Sequence, residues 1–311
     1  MKIAVLGGGG AMGGLFGGYL ARAGEDVTLI DVSLPAIEAI NREGLWIEER
    51  DSALAAIPVK ASANPAEVGK VDLIVNFVKG YHTAEAISSA KPMLGDETTI
   101  LTLQNGWGNA DLIAGIVGER RVLVGLTYHS GTLIGPGRVK HPNSAMTYVG
   151  ELDGAASPRL QRVVEAFRKA GIETVASPRI VEEVWKKLAL NVCSLPTAAL
   201  LRFEAHELAL HEETRTLMRA LLGEVVAVAR VQAIAFDEAE RWAAITGLLE
   251  RAVGARASML QDVEAGRRTE IETVNGAIVA AGRRFGIATP YNEAMVLMVT
   301  ALQGKYLAKS G

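Results

Sequence analysis

The stretch VLGGGGAMGG, residues 5–14, places six glycines directly after a short apolar run. It contains the pattern G-x-G-x-x-G between a segment typical of a strand and one typical of a helix. Glycine permits a tight turn and lets the backbone approach a pyrophosphate, which the N–H groups at the helix start can bind. The stretch therefore predicts a dinucleotide-binding loop formed by Gly8, Gly10, Ala11, Met12 and Gly13.

An acidic residue after the next strand strengthens this prediction. Asp31 ends the apolar segment DVTLID and follows Gly13 by 18 residues, close to the spacing of about 20 typical of the carboxylate that binds the ribose. A carboxylate can bind the two ribose hydroxyls of NAD and would repel the 2′-phosphate of NADP, so NAD is the predicted cofactor.

Two alternatives for the glycine stretch stay open at this stage. The register can shift by one residue, with Gly7 and Gly9 replacing Gly8 and Gly10. The glycines can also serve only to pack a helix on a strand, in which case Asp31 caps the helix that begins near Ser33.

The length and composition of the chain indicate an ordinary globular protein. Its 311 residues favour two domains, and its formal charge of -3 argues against nucleic acid as a partner. The single cysteine, Cys193, can build neither a disulfide framework nor a zinc cluster. A reducing, cytoplasmic location is therefore expected.

Residues 3–21 carry no charge and superficially resemble a signal peptide. Eight glycines dilute the apolar content of this segment, which makes it a poor targeting helix. Elsewhere the chain has no uninterrupted apolar run of about 18 residues, so no association with a membrane is expected.

Short apolar runs alternate with helical patterns in the first half of the chain. The predicted strands are KIAVLG, DVTLID, VDLIVNFVK, TTILTLQNG and RRVLVGLTYHS, and the predicted helices lie near 11–24, 82–90 and 107–117. Nearly continuous apolar strands indicate a buried parallel sheet. Turn residues between short alternating runs in 131–150 predict a few antiparallel strands that close this unit.

From Ser177 onward the pattern is mainly helical. Ser177 and Pro178 are typical of an N-cap followed by proline at the first helical position. Predicted helices cover 179–195, 213–234, 237–252, 269–285 and 291–304. The sequence therefore predicts an α/β domain at 1–176 and a helical domain at 177–311, with the chemistry expected in a cleft between them.

Two lysines interrupt the apolar helix VWKKLALNVCSLP, residues 184–196. Helical geometry places Lys187 at the edge of the apolar face, one turn before Asn191, and Lys186 on the opposite side. The side chains expected to form that face are Ile180, Val184, Leu188, Val192 and Leu195. An ammonium group beside an apolar surface indicates a polar site, although Lys187 can also extend along the helix into water.

The sequence gives little support for metal-dependent or nucleophilic catalysis. His206 and His211 in HELALH are five residues apart and do not share a helix face, so no metal site is expected. No G-x-S-x-G occurs, and Cys193 is expected to point away from the apolar face without a neighbouring base.

Five motifs in one order give the chain a resemblance to a known family. They are GGGAMG at 8–13, Val78-Lys79, LQNG at 103–106, KLALN at 187–191, and SMLQD with GRRTEIE between 258 and 272. This combination resembles the ketopantoate reductases, formally 2-dehydropantoate 2-reductases. The resemblance implies a Rossmann-type domain followed by an all-helical C-terminal domain that binds substrate and forms dimers, as in 6-phosphogluconate-dehydrogenase-like folds, with a nicotinamide and a small 2-keto acid meeting between them.

The resemblance also implies roles for individual residues. Lys187 matches the general acid and Glu270 the second catalytic residue. Further matches are to substrate or nicotinamide positions (Asn105, Asn191, Ser258), a cleft lysine of the cofactor site (Lys79) and a supporting acid (Asp262). An ammonium group suits the first role because reduction of a ketone by hydride places negative charge on its oxygen.

Structural explanations exist for several of these residues. Asn105-Gly106 is a common turn dipeptide. The segment 269–272 reads as a capping box, with Thr269 and Glu272 at a helix start. Ser258 and Asp262 can form an i,i+4 pair on a solvated face.

Two positions depart from the family pattern. Asp31 stands where ketopantoate reductases usually carry a basic residue, and Leu195 stands at an asparagine position. An apolar Leu195 in the substrate wall favours an apolar tail. The pair resembles NAD-dependent D-2-hydroxyacid dehydrogenases acting on branched or aromatic acids, which are the alternative function. A non-catalytic dinucleotide-binding protein is a third. The predicted partners are a small 2-keto acid and a second copy of the chain.

Overall fold

The structure, a computed structural model, describes residues 1–49, 55–142, 144–235 and 237–308. The chain forms two compact units. The first comprises Met1–Gln104 and Asn109–Ile180, and the second comprises Asn105–Gly108 and Val181–Gly311. Four residues in the middle of the α/β part, 105–108, thus belong by their contacts to the second unit.

The strands of the first unit form two sheets. In chain order they are β1 Lys2–Leu6, β2 Asp26–Ile30, β3 Leu45–Glu49, β4 Ala56–Ile57, β5 Lys60–Ser62, β6 Val71–Asn76, β7 Leu94–Thr102, β8 Val122–Thr127, β9 Thr132–Gly135, β10 Arg138–His141, β11 Thr147–Gly150 and β12 Thr174–Ala176. The larger sheet has the order β12-β11-β8-β7-β6-β1-β2-β5, and the smaller has the order β4-β3-β10-β9.

The larger sheet is parallel except where β11 pairs with β8. Its central strands are buried on both faces, since Leu73, Ile74 and Val75 follow one another in β6 with no exposed surface. The helices of this unit are α1 Ala11–Arg22, α2 Leu34–Glu43, α3 Thr83–Ser89, α4 Asn109–Val117 and α5 Pro158–Lys169. The prediction of a buried parallel sheet from continuous apolar strands is confirmed.

The prediction for 131–150 is confirmed in part. β9 pairs with β10 and β11 pairs with β8 in antiparallel fashion, as expected. β10 also pairs in parallel with β3, so the β9–β10 hairpin belongs to the smaller sheet, which the sequence did not predict. Asn143, within the predicted range, lies outside the described residues.

The second unit is helical. Its helices are α6 Ile180–Leu201, α7 Glu207–Leu210, α8 Glu212–Val231, α9 Glu238–Arg251, α10 Ser258–Glu264, α11 Asn275–Phe285 and α12 Pro290–Leu307. The five side chains predicted to form one face of α6 are all buried, at 9% exposure or less. The helix begins at Ile180, and Ser177 Oγ accepts the N–H of Arg179 at 3.2 Å in the turn that precedes it. Within the described residues no helix is long and apolar enough to cross a membrane.

The predicted helix start at Thr269 is wrong, because α11 begins at Asn275. The backbone N–H and the hydroxyl of Thr269 both donate to Gln303 Oε1 of α12, at 3.1 and 2.9 Å. The segment from Glu270 onward is a turn in which the N–H groups of Thr273 and Val274 donate to the carbonyl of Glu270. A distant partner therefore replaces the local capping box.

Candidate active site

The glycine loop packs the start of α1 closely against the ends of two strands. The N–H groups of Gly7 and Gly8 donate to the carbonyl of Ile30 in β2 at 2.9 and 3.0 Å. Gly7 has a φ of +77°, and a Cβ on Gly13 would lie 2.2 Å from the carbonyl oxygen of Gly7. Since no side chain fits there, Gly13 occupies the place of the third glycine, which the close contact between helix and strand requires.

This contact favours one register of the motif. Counting back from Gly13 gives Gly10 and Gly8, as first predicted. A Cβ on Gly8 would lie 2.6 Å from Leu29 Cβ, so that position must also be glycine. Gly10 precedes α1 as its N-cap and contributes no side-chain cap, which leaves the N–H groups of the first turn available to an anion.

Asp31 is held in a defined orientation beside the loop. Its Oδ2 accepts the N–H of Gly9 at 2.8 Å, and its Oδ1 accepts the N–H of Ser33 at 2.9 Å. Ser33, rather than Asp31, caps α2 by accepting the N–H of Ala36. A carboxylate has about four lone-pair positions, so Asp31 retains acceptor capacity for ribose hydroxyls. The loop and Asp31 together fit a dinucleotide.

Lys79 follows the carboxyl end of β6, next to the same loop. A Cβ on Gly7 would lie 3.0 Å from the backbone nitrogen of Val78, so the segment before Lys79 touches the loop directly. Gln104 links the strand ends, because its Nε2 donates to the carbonyl of Val78 and its Oε1 accepts from Asn76 Nδ2, both at 2.7 Å. No pattern in the sequence indicated this role for Gln104.

In the second unit, Lys187 lies in a partly buried polar site. Its Nζ donates to Asn105 Oδ1 at 2.9 Å. Burial lowers the pKa of Lys187 to about 8, and the negative charge of Glu270 acts in the opposite direction and raises it. Lys186 instead pairs with Glu183 at 2.9 Å, so the predicted difference between the two lysines is confirmed.

Asn105 reaches this site because residues 105–108 dock against the turn that carries Glu270. A Cβ on Gly106, whose φ is +89°, would lie 2.2 Å from the carbonyl oxygen of Thr273. The N–H of Trp107 donates to that same carbonyl at 2.9 Å. The Trp107 ring also meets Trp185 of α6 edge to face, 5.7 Å between centroids. Gly106 therefore has the structural role, while the Asn105 side chain binds Lys187.

The remaining predicted residues lie on α6 and α10. Asn191 and Leu195 follow Lys187 by one and two turns and are buried, at 8% and 9% exposure. Ser258 is the first residue of α10, and Asp262 follows one turn later. Asp262 is buried and accepts Arg267 Nε at 3.0 Å, so a solvated face is wrong for this residue. No pattern in the sequence indicated the contacts of Arg267, Trp107 or Thr273.

The residues considered for other chemistry have structural explanations. Cys193 does not point away from the core as expected. It is fully buried against α8, where its Sγ lies 3.3 Å from the carbonyl of Met218, and burial raises its pKa. His206 contacts Glu204, and His211 stands before α8. In the part of the chain that the structure describes, no group of three or more His, Cys, Asp or Glu residues could hold a metal ion.

The α/β unit has a glycine loop and an acidic residue after β2, and the helical unit has a partly buried lysine bound to an amide. These features define a nicotinamide-dependent oxidoreductase. The family models for ketopantoate reductase PanE/ApbA and for its C-terminal domain match residues 3–154 and 179–303. The chain therefore belongs to the ketopantoate reductase family.

Individual relatives agree with this assignment. The chain is 34% identical over 302 residues to a 2-dehydropantoate 2-reductase of Pyrococcus horikoshii, covering 97% of both chains. It is 31% identical to that of Halobacterium salinarum, covering 96% of this chain and 98% of the relative.

Two solved structures cover nearly the whole fold. A PanE/ApbA family ketopantoate reductase from Ralstonia eutropha JMP134 is 30% identical with a TM-score of 0.91, covering 99% of this chain and 100% of that chain. A D-mandelate dehydrogenase in complex with NADH and anilino(oxo)acetate is 25% identical with a TM-score of 0.92, covering 98% of this chain and 99% of that chain.

Proposed function

We propose that the chain is a nicotinamide-dependent reductase of a small 2-keto acid, converting 2-dehydropantoate to pantoate, with Lys187 as the general acid. The observation that carries this proposal is the bond from Lys187 Nζ to Asn105 Oδ1 in a site that lowers the pKa of Lys187 to about 8. A general acid works best when its pKa lies near the operating pH, so the site suits proton donation under neutral conditions.

The residues of the second unit have different roles in the proposed reaction. Reduction by hydride places negative charge on the keto oxygen, and the Lys187 ammonium stabilises this charge and transfers its proton to the oxygen. Asn105 orients the ammonium, and Glu270 favours its charged form as the second catalytic residue. Asn191, Ser258 and Leu195 are proposed to contact the substrate.

We propose that NAD is the preferred cofactor, held by the glycine loop, Asp31 and Lys79, with Asn105 near the nicotinamide end. When bound, the reduced nicotinamide supplies the hydride. The fixed orientation of the Asp31 carboxylate supports this preference, because Gly9 and Ser33 hold it in place for a ribose diol. The similarity to a D-mandelate dehydrogenase solved with NADH points in the same direction.

The domain roles, the location and the assembly state are part of the same proposal. Residues 1–176 would form the dinucleotide-binding domain and 177–311 the substrate and dimerisation domain, in a cytoplasmic homodimer. The single buried cysteine is typical of a reducing compartment. Exposed apolar side chains on α12, such as Leu297 at 70% and Met298 at 45%, support contact with a second copy. Light scattering coupled to size exclusion tests the dimer.

A second candidate function is a NAD-dependent D-2-hydroxyacid dehydrogenase that accepts branched or aromatic acids. Three observations favour it: Asp31, the apolar Leu195 one turn beyond Asn191, and the similarity to a D-mandelate dehydrogenase. Ketopantoate reduction remains the main proposal because the relatives with 31–34% identity are named 2-dehydropantoate 2-reductases.

A panel of 2-keto acids crossed with NADH and NADPH tests both functions. Ketopantoate, 2-ketoisovalerate and phenylglyoxylate represent polar, branched and aromatic tails, and acetone is the control without a carboxylate. We expect NADH oxidation with at least one keto acid and none with acetone. Binding of NADH without turnover of any keto acid would contradict both enzymatic proposals and leave a non-catalytic dinucleotide-binding protein.

A further inference from the structure

Pro196 leaves a backbone carbonyl of α6 without its usual donor. Proline has no N–H, so the carbonyl of Val192, four residues earlier, loses the intrahelical bond that position 196 would otherwise provide. A buried carbonyl without a donor is unfavourable. Val192 directly follows Asn191 and lies between Lys187 and Leu195, so the interruption falls within the candidate active-site stretch of α6.

The amide of Asn275 supplies the missing donor. Asn275 Nδ2 lies 3.2 Å from the Val192 carbonyl oxygen, and the same nitrogen donates to Asn292 Oδ1 at 3.0 Å. Asn275 is fully buried, and its Oδ1 accepts no hydrogen bond among the described residues. Both amide hydrogens are therefore used, which shows that the side chain serves as a donor.

A carboxylate on α8 fixes the direction of this amide. Glu224 Oε2 accepts both the backbone N–H and the side-chain Nδ2 of Asn292, at 2.9 and 2.6 Å. An ionised carboxylate can only accept, so the Asn292 amide must turn its nitrogen toward Glu224 and its oxygen toward Asn275. Asn275 must then present its nitrogen to Asn292 and Val192. Donors and acceptors therefore match at every step of this hydrogen-bond network, from Val192 to Glu224.

Asn275 also stands at the end of the turn that carries Glu270. The N–H of Val274 donates to the Glu270 carbonyl at 3.1 Å, and that of Gly276 donates to the Ile271 carbonyl at 2.9 Å. Two further hydrogen bonds connect this turn to neighbouring segments. The N–H of Trp107 donates to the turn and connects it to the segment of Asn105. The side chain of Asn275 donates to α6 and connects the turn to the segment of Asn191.

We infer that Asn275 is a positioning residue, which uses the carbonyl exposed by Pro196 to set the Lys187 helix relative to Glu270. This inference rests on the proposed function, because it concerns the same proton donor. Misplacement of a catalytic group by about 1 Å can cost about a hundredfold in rate. Asn275 therefore affects the chemical step through the position of Lys187.

The variant Asn275→Leu tests this role because it keeps the number and branching of the side-chain heavy atoms and removes both donors. We expect kcat for 2-keto acid reduction to fall about tenfold or more, with little change in KM for the dinucleotide. Glu270 raises the pKa of Lys187, so a looser contact should also shift the alkaline fall in kcat to lower pH. A loss of folded protein alone would not move this midpoint.

Thr214→Val is the matched control in the same unit. Thr214 is buried at the start of α8, and its hydroxyl donates to the carbonyl of Leu208 at 2.7 Å, with the carbonyl of His211 also within 2.9 Å. This variant also removes the hydroxyl donor from a buried carbonyl, that of Leu208, and we expect a lower Tm with unchanged kcat and pH midpoint. If Asn275→Leu behaves like Thr214→Val, the positioning role is contradicted.

Asn275→Ser is the second variant, should Asn275→Leu fail to fold. Serine is favoured at helix starts, and its shorter side chain cannot span the same distance to Val192. The same fall in kcat and the same shift in pH midpoint are expected, and wild-type values would contradict the inference. The wild-type enzyme separates the two proposals: no turnover of any 2-keto acid contradicts the proposed function, whereas normal turnover in both variants contradicts only the role of Asn275.

Discussion

Lys187 Nζ and Asn105 Oδ1 lie 2.9 Å apart, although 82 positions separate the two residues in the chain. An ammonium group has three N–H donors, so Lys187 can bind Asn105 and further acceptors at the same time. The amide of Asn105 is neutral and holds the ammonium without neutralising it. The site therefore keeps a proton donor whose pKa is lowered by burial.

The pH dependence of reduction should follow Lys187. Its proton is required, so kcat/KM for the keto acid should be highest below a pKa of about 8 and should fall as the pH rises through that value. Glu270→Gln removes the charge that raises this pKa, and we expect the fall to begin at lower pH. Steady-state rates across neutral and alkaline pH provide the measurement. A fall in Glu270→Gln at the same or a higher pH would contradict the electrostatic role of Glu270.

Asp31 should determine cofactor preference. We expect a higher kcat/KM with NADH than with NADPH, because the Asp31 carboxylate would repel the 2′-phosphate. Asp31→Arg should move the preference toward NADPH. The control Asp26→Arg changes an exposed acid at the other end of β2 and should leave the preference unchanged. A wild-type enzyme that prefers NADPH would refute this prediction.

Much of the fold follows from patterns within single segments. The strands around the glycine loop were predictable because they are buried on both faces and therefore read as continuous apolar runs. α5 was missed although its signal was present, with Ser157 as N-cap and Pro158 at the first position. β4, β5 and β12 are only two or three residues long, too short for a periodic pattern.

The candidate site was predictable only where the positions of its residues follow from the geometry of a single helix. Helical geometry separated Lys187 from Lys186, but it could not reveal the bonds made across long sequence separations. Thr269 donates a hydrogen bond to Gln303, 34 positions further along the chain, and this tertiary contact replaces the predicted local capping box. The same limitation explains why Arg267 and the docking of Trp107 on Thr273 were missed.

His129 should make stability depend on pH. It is buried against His141, with 3.0 Å between Nδ1 and Nε2, and burial together with the neighbouring imidazole lowers its pKa to about 4. The unfolded chain, with a histidine pKa of about 6.5, binds the proton first as the pH falls. Stability should therefore be complete above about pH 6.5 and should decline toward pH 4.

Urea unfolding at neutral and mildly acidic pH measures this effect. His129→Gln should remove about 1–2 kcal/mol of the decline between roughly pH 7 and pH 5. The control His82→Gln changes an exposed histidine and should leave the decline as in the wild type. An equal decline in all three proteins would contradict a lowered pKa of His129 in the folded protein.

Leu195 should influence the choice of substrate. An apolar wall forgoes a hydrogen bond of about 0.5–1.5 kcal/mol to the hydroxyl of ketopantoate, whereas branched or aromatic tails lose nothing. We expect an apolar 2-keto acid to match or exceed ketopantoate in kcat/KM, and Leu195→Asn to shift the ratio toward ketopantoate. Leu201→Asn, at an exposed position of the same helix, is the control. A wild-type preference for ketopantoate of about tenfold or more would make position 195 irrelevant.

The central claim is that Lys187 donates the proton, and comparison of Lys187→Ala with Lys186→Ala tests it most directly. Both variants remove a lysine from adjacent positions of α6, but only Lys187 contacts Asn105. We expect kcat of Lys187→Ala to fall by about 10²–10⁴ while dinucleotide affinity and helical content stay nearly unchanged, and Lys186→Ala to retain nearly full activity. Equally small effects of the two substitutions would contradict the account.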